Sequence, residues 1–229
     1  MHGLSGIKER PHLDAFAQAF IEYGYTAVRF DSTNTFGESD GKYEDATLTN
    51  SFEDLEDVIK WAKTQEWYIE PFCLCGHSLG AISGALFAEK NPALVKGLAP
   101  VSTIVSGALW IEAEKKSRPA EYVEWERTGW RIASSESTPG LVKRLKWSPF
   151  KEDILKYDLL QNVDRLTMPV LLITGENDGI APAEHQEIFY KALPGRKELH
   201  IIKNGPHTFC DFGQLAEIKG IFAQWIKIL

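Results

Sequence analysis

The sequence predicts an α/β fold, a mostly parallel central sheet with helices on both faces. Three observations predict it. Segments of strand and helix character alternate along the chain. A near-continuous apolar run, FCLCG (72–76), reads as a strand buried on both faces. A helix of small residues, LGAISGALFAEK (79–90), follows at once and can lie very close to a sheet. Such alternation implies parallel strands joined by right-handed crossovers.

The elements follow in order. PHLDAFAQAFIEYG (11–24) reads as a helix, with Leu13, Phe16, Phe20 and Ile21 on one face and Gly24 to cap its end. TAVRFDS (26–32) reads as a short strand. A loop rich in Gly, Ser, Asn and Asp comes next, and Asp31 is expected to order it. SFEDLEDVIKWAKTQ (51–65) reads as a helix, capped by Ser51 with Asp54 in a capping-box position. Leu55, Val58, Ile59 and Ala62 supply its buried stripe. VKGLAPVST (95–103) has strand character, with Pro100 marking an early end. PVLLITGEND (169–178) and KELHIIKNG (197–205) read as strands, with a helix at 182–193 between them. A last helix, from about 212 to 229, carries Leu215, Ile218, Phe222, Trp225, Ile226 and Leu229 on one face. Between 104 and 165 the rhythm breaks. This stretch holds Trp110, Trp125, Trp130 and Trp147 among many charges, and reads as a mainly helical insertion, expected to cap a site.

Composition narrows the function classes. With 229 residues, 44% of them hydrophobic and 25% charged, the chain suits one sizeable domain spanning 1–229. A net charge of −7 argues against a nucleic-acid surface, which needs a basic face to displace counterions. It favours a small or neutral partner. Cys73, Cys75 and Cys210 do not make a disulfide framework. Cys73 and Cys75 share one face of a strand and read as small buried hydrophobes, without the further Cys or His a zinc site needs. No run is long enough to cross a bilayer and no signal peptide is visible, so a cytoplasmic protein is expected. A homodimer is left open.

The sharpest motif is GHSLG (76–80), a G-x-S-x-G sequence set between a buried strand and a small-residue helix. Its serine, Ser78, must stand on a tight turn, and glycine at 76 and 80 removes the side chains that would collide there. The helix beginning at Leu79 brings free N–H groups and a positive dipole end beside it. A serine needs a base, and the base an orienting acid. In an α/β sheet these meet at the carboxyl ends of the strands. After LLITG comes Asp178, with Glu176 two residues earlier; after LHIIKNGP comes His207, with Asp211 near by. His77 adjoins Ser78 but points away from it, and reads as packing. His12, His185 and His200 stand at positions unsuited to a base.

Taken together, HG at the start, GHSLG, GENDGIAP and NGPH in this order resemble the α/β-hydrolase superfamily over nearly the whole chain. The loop RFDSTNTFGESDGKYEDAT is similar to that of small serine esterases, the cinnamoyl and feruloyl esterase group among them. The resemblance implies Ser78 as nucleophile, His207 as base, and Asp178 as the group that fixes the histidine tautomer. It implies the backbone N–H groups of Leu79 and Leu4 as the oxyanion hole. No metal or organic cofactor is implied. The implied activity is hydrolysis of small, short-acyl or aromatic esters through an acyl-enzyme. A thioesterase, a monoacylglycerol lipase and a small peptidase remain as alternatives on the same residues. A haloalkane dehalogenase would need Asp in place of Ser78. A non-catalytic binding protein on this scaffold is the alternative from another class.

The opening MHGLSG then carries a role, since Gly3 allows a close approach and Leu4 supplies a donor. His2 is expected to use its backbone there or to make a supporting hydrogen bond, and not to catalyse. In the family a central strand delivers this HG, and here Met1 would be its last residue. Three explanations stand. The sequence starts at an internal Met of a longer product, which is the preferred one; the flanking strands pair directly; or a neighbouring chain supplies the strand.

Overall fold

The computed structural model describes residues 1–134 and 140–229. Its main sheet has four parallel strands, β1 (Phe72–His77), β2 (Val95–Val101), β5 (Val170–Gly175) and β6 (Lys197–Ile202), in the spatial order β1-β2-β5-β6. A separate antiparallel hairpin joins β3 (Trp130–Ser134) to β4 (Val142–Lys146). Eight α-helices complete the described residues: α1 (Pro11–Ile21), α2 (Leu48–Ala62), α3 (Leu79–Lys90), α4 (Gly107–Ser117), α5 (Pro119–Thr128), α6 (Trp147–Ile154), α7 (Ala183–Ala192) and α8 (Phe212–Ile226). None of them is long and apolar enough to cross a membrane.

Strand alternation divides the core. Leu98, Val170 and Leu172 point to the face that Leu55 and Ile59 of α2, Ile82 of α3 and Phe189 of α7 cover. Ala99, Val101, Leu171 and Ile173 point to the other, against Phe16 and Phe20 of α1 and Phe222 and Trp225 of α8. The stacked rings of Phe16 and Phe222, 5.0 Å apart, join α1 to α8. Ile21, expected on the buried face, is exposed.

Several expectations are corrected. Helix α2 begins at Leu48, capped by Thr47, whose Oγ1 accepts the Asn50 N–H at 3.0 Å. Ser51 lies inside the helix, its hydroxyl 3.1 Å from that of Ser83 on α3. Asp54 instead accepts the N–H and hydroxyl of Thr33, both at 2.7 Å. Pro100 does not end β2, which runs to Val101; the proline lacks the N–H for the β5 ladder, and those two strands pair only at Leu98↔Val170 and Val101↔Ile173. The stretch 104–165 holds α4, α5 and α6 as expected, and also the β3–β4 hairpin.

The largest correction concerns 26–32. These residues form no strand, and so do not pair directly with β1. Met1 lies at the β1 edge: its ammonium donates to the Cys75 carbonyl at 2.8 Å, and the His77 N–H donates to the Met1 carbonyl at 3.0 Å. Beyond it the edge faces a cavity of about 560 Å³, lined by Phe16, Val28, Phe30, Ile59, Trp67 and Phe72 among others. A segment becomes a strand only with a partner for its backbone groups, and 26–30 faces this cavity instead. Asp31 does order the loop that follows, accepting the N–H groups of Lys8 (2.8 Å) and Glu38 (3.1 Å).

Candidate active site

Ser78 closes β1 and opens α3 with φ 56° and ψ −116°. A non-glycine residue there costs ~1–3 kcal/mol and persists only where its surroundings over-determine it. Here they do. The Ser78 N–H donates to Val101 O at 2.9 Å, and its carbonyl accepts Ala81 N–H at 3.0 Å and Ile82 N–H at 3.1 Å. The flanking glycines serve close approach: a Cβ at 76 would lie 2.3 Å from the Gly80 carbonyl oxygen, and one at 80 would lie 2.4 Å from that of His2. The second glycine thus makes room for the HG turn rather than for the first.

Asp178 follows β5 and is buried; its Oδ1 accepts the N–H groups of Ile180 (2.9 Å) and Ala181 (2.8 Å). His207 follows β6, with Nδ1 2.9 and 3.0 Å from the two Asp178 carboxylate oxygens and Nε2 2.9 Å from Ser78 Oγ. A carboxylate only accepts, so Nδ1 carries the proton and Nε2 presents its lone pair to the serine hydroxyl. Burial opposes the charge on Asp178, yet the His207 ring and the two N–H donors prevail and hold its pKa below the usual carboxylate value.

The competing residues lie elsewhere. Glu176 accepts the Asn204 N–H at 2.8 Å, and Asp211 caps α8 by accepting from Gln214 N–H at 3.0 Å. Cys73, Cys75 and Cys210 are free thiols, and Cys210 is exposed. His185 lies on α7 and His200 on β6 beside Glu198. Glu9, Asp31 and Glu38 are near enough to one another to share an ion, and Lys8 Nζ approaches all three, at 3.1, 2.7 and 2.5 Å.

The HG turn packs on the serine: a Cβ at Gly3 would lie 3.0 Å from Ser78 Cβ. His2 accepts the Ser32 N–H at Nε2 (3.0 Å), which leaves Nδ1–H to donate to Gly3 O (2.8 Å). The N–H groups of Leu4 and Leu79 have no backbone or side-chain acceptor among the described residues. The site thus holds a hydroxyl with an oriented proton acceptor and an anion behind that acceptor, next to two backbone N–H groups without an acceptor among the described residues. His77 was the residue that sequence reasoning missed. Its Nε2 lies 2.7 Å from the His207 carbonyl. Only the chance pairing of two histidines in the fold reveals this.

Burial keeps these rings neutral. It pushes His12 down to about 3 from 6.5, and lowers His77 and His2 in the same direction. Between those values the unfolded chain holds a proton on His12 that the folded chain does not. Stability therefore falls with pH below 6.5, by ~1.4 kcal/mol per unit for this one group, or ~2 kcal/mol at pH 5. Urea midpoints at pH 7.5 and 5 should differ, and the difference should shrink in His12→Phe. An undiminished difference would place the acid sensitivity elsewhere.

Comparison with known proteins gives the family and the fold. The chain matches the family Hydrolase_4, described as serine aminopeptidase, S33, over residues 1–211. It is 27% identical over 256 aligned positions to an uncharacterized 31.7 kDa protein in the traX-finO intergenic region of Escherichia coli, covering 99% of this chain and 88% of that protein. Its fold is similar to that of Est1E from Butyrivibrio proteoclasticus, solved with ferulic acid bound (TM-score 0.78, 23% identity, covering 100% of this chain and 86% of that one). It is also similar to mouse alpha/beta hydrolase domain-containing protein 10 (TM-score 0.79, 20% identity, covering 100% of this chain and 88% of that one). With a family match over residues 1–211 the chain belongs to the Hydrolase_4 family (serine aminopeptidase, S33), and it has the α/β-hydrolase fold.

Proposed function

We propose that the protein is a serine carboxylic-ester hydrolase that works through an acyl-enzyme on small, short-acyl or aromatic esters. The observation that carries this reading is the 2.9 Å contact between Ser78 Oγ and His207 Nε2, on a ring whose Nδ1 is bound by the buried Asp178. Ser78 Oγ attacks the ester carbon while its proton passes to His207 Nε2. Asp178 holds the tautomer and stabilises the imidazolium. The oxyanion takes hydrogen bonds from the Leu4 and Leu79 N–H groups, aided by the positive end of α3; each such donor contributes ~3–4 kcal/mol. The imidazolium then protonates the departing alcohol. Water, deprotonated by His207, attacks the acyl carbon and releases the acid with Ser78 restored.

The whole chain acts as one domain in this reading, with 104–165 as its cap. Lys143 Nζ on β4 of that segment donates to Ser5 Oγ at 2.9 Å, which ties it to the turn bearing Leu4. The family description, a serine aminopeptidase, favours an amide as the second substrate class. A panel of p-nitrophenyl esters of graded acyl length, set beside aminoacyl p-nitroanilides and a fluorophosphonate label, tests the assignment. Burst kinetics on short or aromatic esters and labelling at Ser78 are expected. Faster anilide than ester turnover would make it a peptidase, and neither turnover nor label would make it a binding protein.

A further inference from the structure

His77 lies one residue before the serine, yet its bonding serves the base. The residue is buried and its Nε2 lies 2.7 Å from the carbonyl oxygen of His207. A carbonyl only accepts, so His77 carries its proton on Nε2 and leaves Nδ1 bare. That bare nitrogen faces the HG turn, where a Cβ on Gly3 would come within 3.2 Å of it. The His77 ring lies 4.8 Å from the His207 ring, centroid to centroid, and 4.5 Å from the ring of His12 on α1. His12 is buried, with the backbone of Phe209 beside its ring. Three imidazoles therefore form a column from α1, through the end of β1, to the loop after β6.

The loop that carries His207 is otherwise held at a distance from the serine. Gly205 accepts from Asn177 N–H at 2.8 Å and donates to Ile202 O at 3.0 Å, and Asn204 donates to Glu176. These bonds fix the root of the loop against β5 and β6. The His77 bond fixes it at His207 itself, from the strand that ends in Ser78.

We propose that His77 is a positioning residue: its Nε2–H bond to the His207 carbonyl sets the distance between base and nucleophile, and His12 backs the ring that makes it. This rests on the reading of Ser78 and His207 as nucleophile and base. A neutral donor is the chemistry required. His207 must gain a proton during the reaction, and a cation against its ring would oppose that. Burial keeps both supporting rings neutral. Arginine or lysine at 77 could make the same bond but not under that condition. Misplacement of a reacting group by about 1 Å costs on the order of a hundredfold in rate.

The test compares His77→Leu with His77→Gln on the best ester of the panel. In His77→Leu, kcat should fall about a hundredfold with KM within about twofold, because substrate binding does not use the bond. In His77→Gln, whose amide nitrogen can take the place of Nε2, kcat should recover to within about tenfold of wild type. In wild-type protein labelled with ¹⁵N-histidine, a slowly exchanging Nε2–H should appear and vanish in both variants. Wild-type kcat in His77→Leu overturns the proposal. So does a His77→Gln as impaired as His77→Leu, or a His77 ring with its proton on Nδ1. Should His77→Leu fail to fold, His77→Gln and the ¹⁵N spectrum decide. An inactive, unlabelled wild type overturns the esterase reading itself, whereas an active wild type with an indifferent His77→Leu overturns only the role of His77.

Discussion

Ser78→Ala is expected to lower ester turnover by about 10⁴-fold or more and to abolish fluorophosphonate labelling, with the fold intact. The serine hydroxyl makes one hydrogen bond to a side chain, to His207 Nε2. Its removal therefore leaves little else unpaired. The backbone strain at φ 56° is the same for alanine as for serine, so the turn gains nothing and loses nothing from the exchange. His207 stays attached to Asp178, and Leu4 and Leu79 keep their N–H groups. Residual catalysis over water, of about 10³–10⁴-fold, would be the part contributed by those donors and by binding. The melting temperature should stay within about a degree or two of wild type. An alanine variant that keeps a tenth of wild-type turnover sinks the assignment of Ser78.

Trp147→Ala is expected to destabilise the protein by ~3–5 kcal/mol, since it deletes a fully buried indole. The ring meets Trp125 at 5.2 Å, Tyr122 edge-on at 5.5 Å and Trp110 at 6.1 Å. Its Nε1–H donates to Glu126 at 2.9 Å. In a chain of 229 residues a loss of this size lowers the melting temperature by roughly 10 °C. The variant also separates two roles for the 104–165 segment. As a cap it should shape the acyl site, and kcat/KM for bulky aromatic esters should fall more than for acetyl esters. An equal loss across the panel, matched to the loss of folded protein, would make the segment ordinary packed structure.

How legible these features were depended on how local their causes are. GHSLG could be read because strand, turn and helix are adjacent in sequence and Gly76 answers a clash within a few residues, whereas Gly80 makes room for the distant HG turn. Asp178 and His207 could be found because strand ends converge in such a sheet. Glu176 could be set aside only once it was seen to hold Asn204. The α2 cap was misread because Ser51 and Asp54 mimic a capping box, while both serve partners distant in the chain, Ser83 and Thr33. The β3–β4 hairpin was missed because Arg131 and Arg144 make its strands read as charged surface. In the fold their guanidinium groups lie over Trp125 (5.0 Å) and Trp130 (4.5 Å). TAVRF reads as a strand because its composition is right for one. Whether it becomes one depends on a backbone partner that no local pattern encodes.

The buried histidines have a consequence for how the protein behaves in a tube. A fold that excludes protons from His12 opens more often in mild acid, and each opening exposes apolar core to other molecules. Long-range charge is what keeps two such molecules apart. At pH 7 each carries seven excess negative charges, and near pH 5.4 none. Mild acid thus removes the repulsion over the same interval in which the buried histidines loosen the fold. Handling the protein above neutral pH and at modest salt keeps both safeguards in force.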